Sequence, residues 1–245
     1  MASSDLLDPW MRYLRRRDST LSQREEGVLR DAVAGQHGVA ADTDLVREHD
    51  RPAHSTLLLQ GWACRYISLD DGRRQILAFH VPGEFVDLHS FPLRRMDHAV
   101  GALTTCRVAT VPHDTLRRIT EDEPHLTRLL WLSTIIDAAI LRQWLLGAGK
   151  RSALEHAAHL ICELHVRLEV AGLTDGAVFD LPFTQTEFGD ALGISQVHAN
   201  RTLQELKATG LLSWRGTRVE ILDGDRLCAL AQFDRAYLQL EDEPR

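Results

Sequence analysis

The sequence predicts an α+β chain in three parts: an N-terminal β-barrel, a long apolar helix, and a C-terminal winged helix-turn-helix. Three observations lead there. Between Leu45 and Val111 short runs alternate apolar and polar residues and are separated by turn residues. From His125 to Gly147 apolar side chains recur on nearly every side of a helical stretch. From Leu181 to Leu222 two short capped helices precede a strand pair. A period of two marks half-buried strands, and a period near 3.6 marks helices. The expected division is residues 1–147, a barrel with N-terminal helices and the long helix, and residues 148–245, the helix-turn-helix domain.

The 245 residues, 44% apolar and 26% charged, are ordinary for a globular chain with substantial cores. No stretch reads as the run of about 18–20 apolar residues that a membrane helix needs. Met1 to Thr20 is polar, carries Arg15-Arg16-Arg17 and lacks the apolar core of a signal peptide. The expectation is a cytoplasmic chain with no membrane partner. Cys64, Cys106, Cys162 and Cys228 are scattered, which fits neither a disulfide framework nor a zinc knuckle.

Residues 21–34 have helical spacing in Leu21, Val28, Leu29 and Ala32. Trp62, Cys64 and Tyr66 alternate with Ala63, Arg65 and Ile67; Asp70-Asp71-Gly72 makes a turn; Ile76, Ala78 and His80 continue on a second strand that Pro82-Gly83 breaks. The helix from His125 to Gly147 would be about 35 Å long at about 1.5 Å per residue. A helix apolar on most sides needs partners on most sides, so one face is expected on its own barrel and the other on a second copy. Gly147-Ala148-Gly149-Lys150 reads as a hinge, followed by a helix from Ser152 to Val170.

The C-terminal pattern carries the function. Thr184 with Glu187 forms a capping box that starts a helix; Phe188, Ala191 and Leu192 give it an apolar face, and Gly193 ends it. Gly189 leaves room for a second helix to cross closely. Ser195 caps that second helix, on which Ala199, Leu203 and Leu206 face inward. Gln196, Val197, Asn200, Arg201 and Gln204 lie on its outer face, with side chains suited to base edges and phosphates. Leu211 to Ile221 reads as a two-stranded wing. Charge gives no support: the formal net charge is −7, and from Thr184 to Leu222 Arg201, Lys207, Arg215 and Arg218 only match Glu187, Asp190, Glu205 and Glu220. The case for DNA rests on geometry.

On these residues the chain resembles the cAMP receptor protein/fumarate-nitrate regulator (Crp/Fnr) family over nearly its whole length. GWACRYISLDDGRRQILAFHVPGEFVDL and LTTCRVATVPHDTL resemble the family's cyclic-nucleotide-binding-like jelly roll, and TQTEFGDALGISQVHANRTLQELKATGLL resembles its helix-turn-helix. The resemblance implies that Ser195 and His198 approach phosphates and that Gln196, Val197, Arg201 and Gln204 face bases. The best-known members place Arg or Val where Gln196 stands and Glu where Val197 stands; a changed half-site is expected. Gly83 and Glu84 match the family's effector turn, but Met96-Asp97-His98 stands where nucleotide-binding members carry Arg-Ser-Ala; Arg94 and Arg95 are nearby substitutes.

The function expected is a homodimeric regulator of transcription, without enzymatic activity, binding an inverted-repeat operator in double-stranded DNA. A small-molecule effector is left open, as is RNA polymerase as a partner if the protein activates. No catalytic residue, metal site or cofactor is expected. The absence of an N-terminal cysteine cluster argues against an iron–sulfur centre; His80, His89, His98 and His113 stay open as haem ligands. His156, His159, Cys162 and His165 repeat every three residues but read as an ordinary linker helix. The alternatives are a cyclic-nucleotide-responsive regulator and a barrel enzyme with a DNA-binding appendage.

Overall fold

The computed structural model describes residues 5–93 and 95–241; of the residues singled out above, Arg94 lies outside that set. Two helices open the chain. α1 (Asp8–Arg17) carries an acid in its first turn and Arg15, Arg16 and Arg17 in its last, matching the helix dipole, and buries Trp10, Met11, Tyr13 and Leu14. α2 (Gln23–Asp31) is started by the Ser22–Glu25 capping box.

The barrel is a pair of antiparallel sheets. One has the order β1 (Gly35–Val39), β7 (Cys106–Pro112), β3 (His54–Gln60). The other runs β2 (Asp44–Val46), β6 (Ala99–Ala102), β4 (Ala63–Ser68), β5 (Arg74–His80). Val46, Leu58, Ala63, Val86, Met96, Val100, Ala102, Cys106 and Val108 fill the interior. The β4–β5 hairpin pairs Cys64 with Phe79 and Ser68 with Arg74, as the alternation and the Asp70-Asp71-Gly72 turn predict.

After α3 (His113–Asp122) the chain enters α4 (Pro124–Lys150), 27 residues long. This helix is long and apolar enough to cross a membrane, with a mean hydropathy of 1.4 over its most apolar window, which corrects the sequence expectation. The composition has a second cause. One face (Leu126, Leu129, Ile136, Ile140, Trp144) is buried against the chain's own core. On another, Trp131, Ile135, Ala138, Leu141 and Leu145 are exposed and recur every three or four residues, the spacing of a coiled-coil seam.

The expected hinge is also corrected. α4 stays helical to Lys150, and the break falls at Arg151, just before the Ser152–Glu155 capping box of α5 (Ala153–Ala171). Gly147 is buried, and a Cβ there would sit 2.4 Å from the His156 ring. Its lack of a side chain lets α5 pack closely on α4. Gly147→Ala is therefore expected to cost about 1–3 kcal/mol through overpacking, outweighing the gain in helix propensity of about 1 kcal/mol; the shift of the urea midpoint measures it.

The C-terminal half comprises α5, β8 (Val178–Asp180), α6 (Gln185–Leu192), α7 (Gln196–Ala208), β9 (Leu212–Arg215), β10 (Arg218–Ile221) and α8 (Gly224–Ala231). The wing has three strands, in the order β8-β10-β9; the outer strand β8 was not foreseen. A single apolar core joins the outer side of the barrel to this half: Trp62, Ile76 and Phe79 share it with Trp144, Ile161, Phe179, Phe188 and Leu206. Phe183 stacks on Phe79 with ring centroids 4.0 Å apart and meets Trp62 edge-on at 4.9 Å.

Candidate nucleic-acid interface

α6 and α7 form the interface because their ends are fixed by short-range chemistry. Thr184 and Glu187 close the expected capping box, with the Thr184 hydroxyl accepting from the Glu187 N–H at 3.1 Å. Gly193 takes the left-handed conformation (φ 71°) that turns the chain, and its N–H bonds the Gly189 carbonyl. At Gly189 a Cβ would lie 2.9 Å from the Ile194 carbonyl oxygen, so only glycine allows this crossing. The Ser195 hydroxyl accepts from the His198 N–H at 3.3 Å and caps α7. Ala199, Thr202, Leu203 and Leu206 turn inward.

Ser195, Gln196, Val197, His198, Arg201 and Gln204 are all exposed, five on one side of α7 and the sixth at its cap. Val197 is 75% exposed, a large apolar group with no partner in the chain. The N-terminus of α7 presents the positive end of its dipole and free N–H groups beside them. Asn200 does not join this face; it is half-buried and donates to the Gln185 side chain at 2.9 Å, tying α7 to α6. Arg215 and Arg218, cross-strand partners in the wing, are both exposed and were not counted as contacts from sequence. Their position opposite each other across a two-residue turn was the available signal.

The interface is held against the barrel. Arg74 pairs with Asp190 at 3.0 Å, and the Gln75 amide donates to the Asp190 carbonyl at 2.7 Å. Tyr66, Leu69, Gly72 and Arg73 of the hairpin face Ser195 and Gln196 across an open cleft of about 920 Å³.

Gly83 and Glu84, the effector-turn candidates, lie at the same junction. Gly83 (φ 96°) is pressed against the Pro9 backbone. The Glu84 carboxylate receives two hydrogen bonds from Arg167 of α5, at 2.9 and 2.6 Å. Arg167 also bonds Glu163 at 2.9 Å and the Phe79 carbonyl at 2.5 Å, and Tyr237 donates to Glu163 at 2.8 Å. Burial alone would raise the Glu84 carboxyl; the Arg167 guanidinium and, beside it, the His80 ring together outweigh burial and hold it well below the usual carboxylate range. For Glu163 burial wins over the same guanidinium and pushes the carboxyl up.

Among the described residues no group of three or more His, Cys, Asp or Glu side chains gathers as a metal site. His156 and His159 are buried in α5, His165 faces the Gly176 carbonyl at 3.1 Å, and the Cys162 sulfur lies 4.0 Å from that of Cys228. Of the four histidines left open as haem ligands, His80 is buried with neither ring nitrogen hydrogen-bonded and its Nδ1 3.7 Å from the Glu84 carboxylate, His113 bonds Ser90 at 3.1 Å, and His89 and His98 face each other.

The comparisons with known proteins agree with this geometry. Residues 155–230 match the model described as Crp-like helix-turn-helix domain, and residues 37–123 match the cyclic nucleotide-binding domain. The transcriptional activator protein anr of Pseudomonas aeruginosa is 30% identical over 188 residues, covering 76% of both chains. The chain belongs to the Crp/Fnr family of transcription regulators. The nitrogen fixation regulation protein FixK of Bradyrhizobium diazoefficiens is 31% identical over 180 residues, 71% of this chain and 72% of that one. The structure of FixK2 from Bradyrhizobium japonicum superposes with a TM-score of 0.74 at 26% identity, covering 81% of this chain and 97% of FixK2. As a Crp/Fnr regulator the protein carries the family's DNA-binding helix-turn-helix behind a cyclic-nucleotide-binding-like barrel, and its relatives are regulators and not enzymes.

Proposed function

We propose that this Crp/Fnr regulator acts in the cytoplasm as a homodimer, joined along the exposed seam of α4, and lays its two α7 helices into successive major grooves about 34 Å apart on an inverted repeat. Gln196, Val197, Arg201 and Gln204 face base edges: Arg201 suits guanine, Gln196 or Gln204 adenine, and Val197 a thymine methyl. Ser195 and His198 take phosphates at the start of α7, and Arg215 and Arg218 take phosphates from the wing. The observation that carries this reading is the unpartnered, mixed polar and apolar outer face of α7 on a helix pair whose inner face is fully packed.

With no acid at Val197 to accept from a cytosine amino group, the half-site differs from those of the best-known members. Residues 1–147 serve as sensor, and the Arg74–Asp190 and Glu84–Arg167 pairs transmit its state to the DNA-binding domain. Because Glu84 is held by Arg167, the effector, where one acts, is not a nucleotide gripped through that carboxylate. An activating role would add RNA polymerase as a partner.

Selection from random duplexes with the purified protein tests the reading. An inverted repeat is expected, and Arg201→Ala should lower affinity for it by about 1–3 kcal/mol and relax one position of each half-site. Enrichment of a repeat that the variant binds equally well would remove Arg201 from base readout.

A further inference from the structure

The barrel holds a pair of side chains that DNA binding does not use. His89 lies in the short 3-10 turn Leu88–Ser90, which packs on α4, and His98 lies just before β6. The two Nε2 atoms are 3.1 Å apart, and the rings are tilted by 43° with centroids 4.9 Å apart. Nδ1 of His98 is 2.7 Å from the Asp97 carboxylate.

That carboxylate fixes the tautomer: Nδ1 of His98 carries the proton and donates it to Asp97, which leaves the Nε2 lone pair aimed at His89. Without a third party, the pair closes only when His89 protonates its own Nε2 and donates to His98. An ion can take the place of that proton. Two imidazole nitrogens each about 2.1 Å from a shared ion, in adjacent positions of an octahedron or tetrahedron, stand about 3.0–3.4 Å apart. The observed spacing needs no rearrangement to meet this.

We propose that His89 and His98 bind a borderline first-row transition-metal ion, such as Zn²⁺, Co²⁺ or Ni²⁺, through their Nε2 atoms, with Asp97 orienting His98 from behind and water filling the other positions.

Three features support the site. The two Nε2 atoms already converge at 3.1 Å, and the Asp97 contact on Nδ1 turns the His98 lone pair toward His89. The nearby Arg65 guanidinium is itself engaged by Asp137 at 3.1 Å and by the Val86 carbonyl. The rim is open, since Asp97 is exposed and His89 only half-buried. The chemistry also fits the departure from the family pattern: Met96-Asp97-His98 stands where nucleotide-binding members carry Arg-Ser-Ala, so the cation that suits a phosphate is gone and an acid with an imidazole, which suit a metal ion, is in its place. A bound ion would tie the turn on α4 to the start of β6, clamping the segment between them.

The test is titration of the chelator-stripped full chain with Co²⁺, followed by its visible absorption, and with Zn²⁺, followed by the imidazole nitrogen NMR signals of the unmutated protein. The expectation is a single ion per chain that shifts the Nε2 signals of His89 and His98. His89→Ala and His98→Gln should abolish the Co²⁺ spectrum, and Asp97→Asn should weaken binding roughly 10–100-fold. His37→Ala, on the exposed face of β1, should leave it unchanged, and Mg²⁺ should not compete. The proposal is overturned if Zn²⁺ leaves both Nε2 signals in place, or if the His89→Ala, His98→Gln double variant keeps the wild-type spectrum. The NMR arm needs no variant, so a folding defect cannot mimic failure, and neither arm depends on DNA binding.

Discussion

Arg167→Ala is expected to lower stability by about 3–5 kcal/mol, the cost of leaving buried carboxylates without their cation. Arg167 is buried and pairs with Glu84 from the barrel and Glu163 from its own helix. Its removal would strand Glu84, whose depressed carboxyl depends on that guanidinium, and free the Phe79 carbonyl. The sign with pH follows. A carboxyl held below its unfolded value contributes stability above that value and loses it as pH falls toward the folded one. The deficit of Arg167→Ala relative to wild type should therefore be largest at neutral pH and above and shrink on acidification toward about pH 4, as the buried Glu84 carboxyl of the folded variant takes up a proton while the wild-type carboxyl, held by Arg167, stays ionised. Urea unfolding across that range measures it. A second variant, Arg167→Met with Glu84→Met and Glu163→Gln, replaces most of the charge and should recover much of the loss. A cost under about 1 kcal/mol for Arg167→Ala would mean that water reaches the carboxylates and the pair is not a true junction.

The second large effect concerns association. Trp131 is 65% and Leu145 71% exposed on α4, and neither supports the fold of its own chain. Trp131→Glu with Leu145→Glu should leave the circular dichroism spectrum intact while converting the dimer to a monomer in sedimentation. Operator affinity should then fall by about 100-fold or more, because the second half-site is no longer engaged at high effective concentration. A double variant that still sediments as a dimer would place the interface elsewhere.

The sequence was most legible where local chemistry decides structure. Thr184, Glu187, Gly193 and Ser195 fix helix ends through their own hydrogen bonds and φ angles, so the helix-turn-helix could be drawn before any coordinate. The β4–β5 hairpin was equally plain from its alternation and turn. What tertiary packing decides was misread. Gly147 reads as flexible in isolation, yet its role is to admit the His156 ring. Asn200 looks like a surface polar residue until Gln185 is found beside it. Glu84 looks like a ligand contact because nothing near it in sequence announces Arg167, 83 residues away. α1 has a legible signal in Leu7, Trp10, Met11 and Leu14, all buried, but the neighbouring arginines drew attention to charge. The facing of His89 and His98 joins the Leu88–Ser90 turn to the residue before β6, a tertiary contact that no periodicity encodes.

The shared core between barrel and C-terminal half has a consequence for how the molecule comes apart. Because Phe79 stacks directly on Phe183, and Trp144 touches Phe79 while sharing that core with α5, neither half closes its own apolar surface. Melting should then give one calorimetric transition, with equal calorimetric and van't Hoff enthalpies, where a pair of beads on a string would give two. A C-terminal fragment cut free of the barrel would expose the faces of Phe183 and Phe179 and should tend to self-associate.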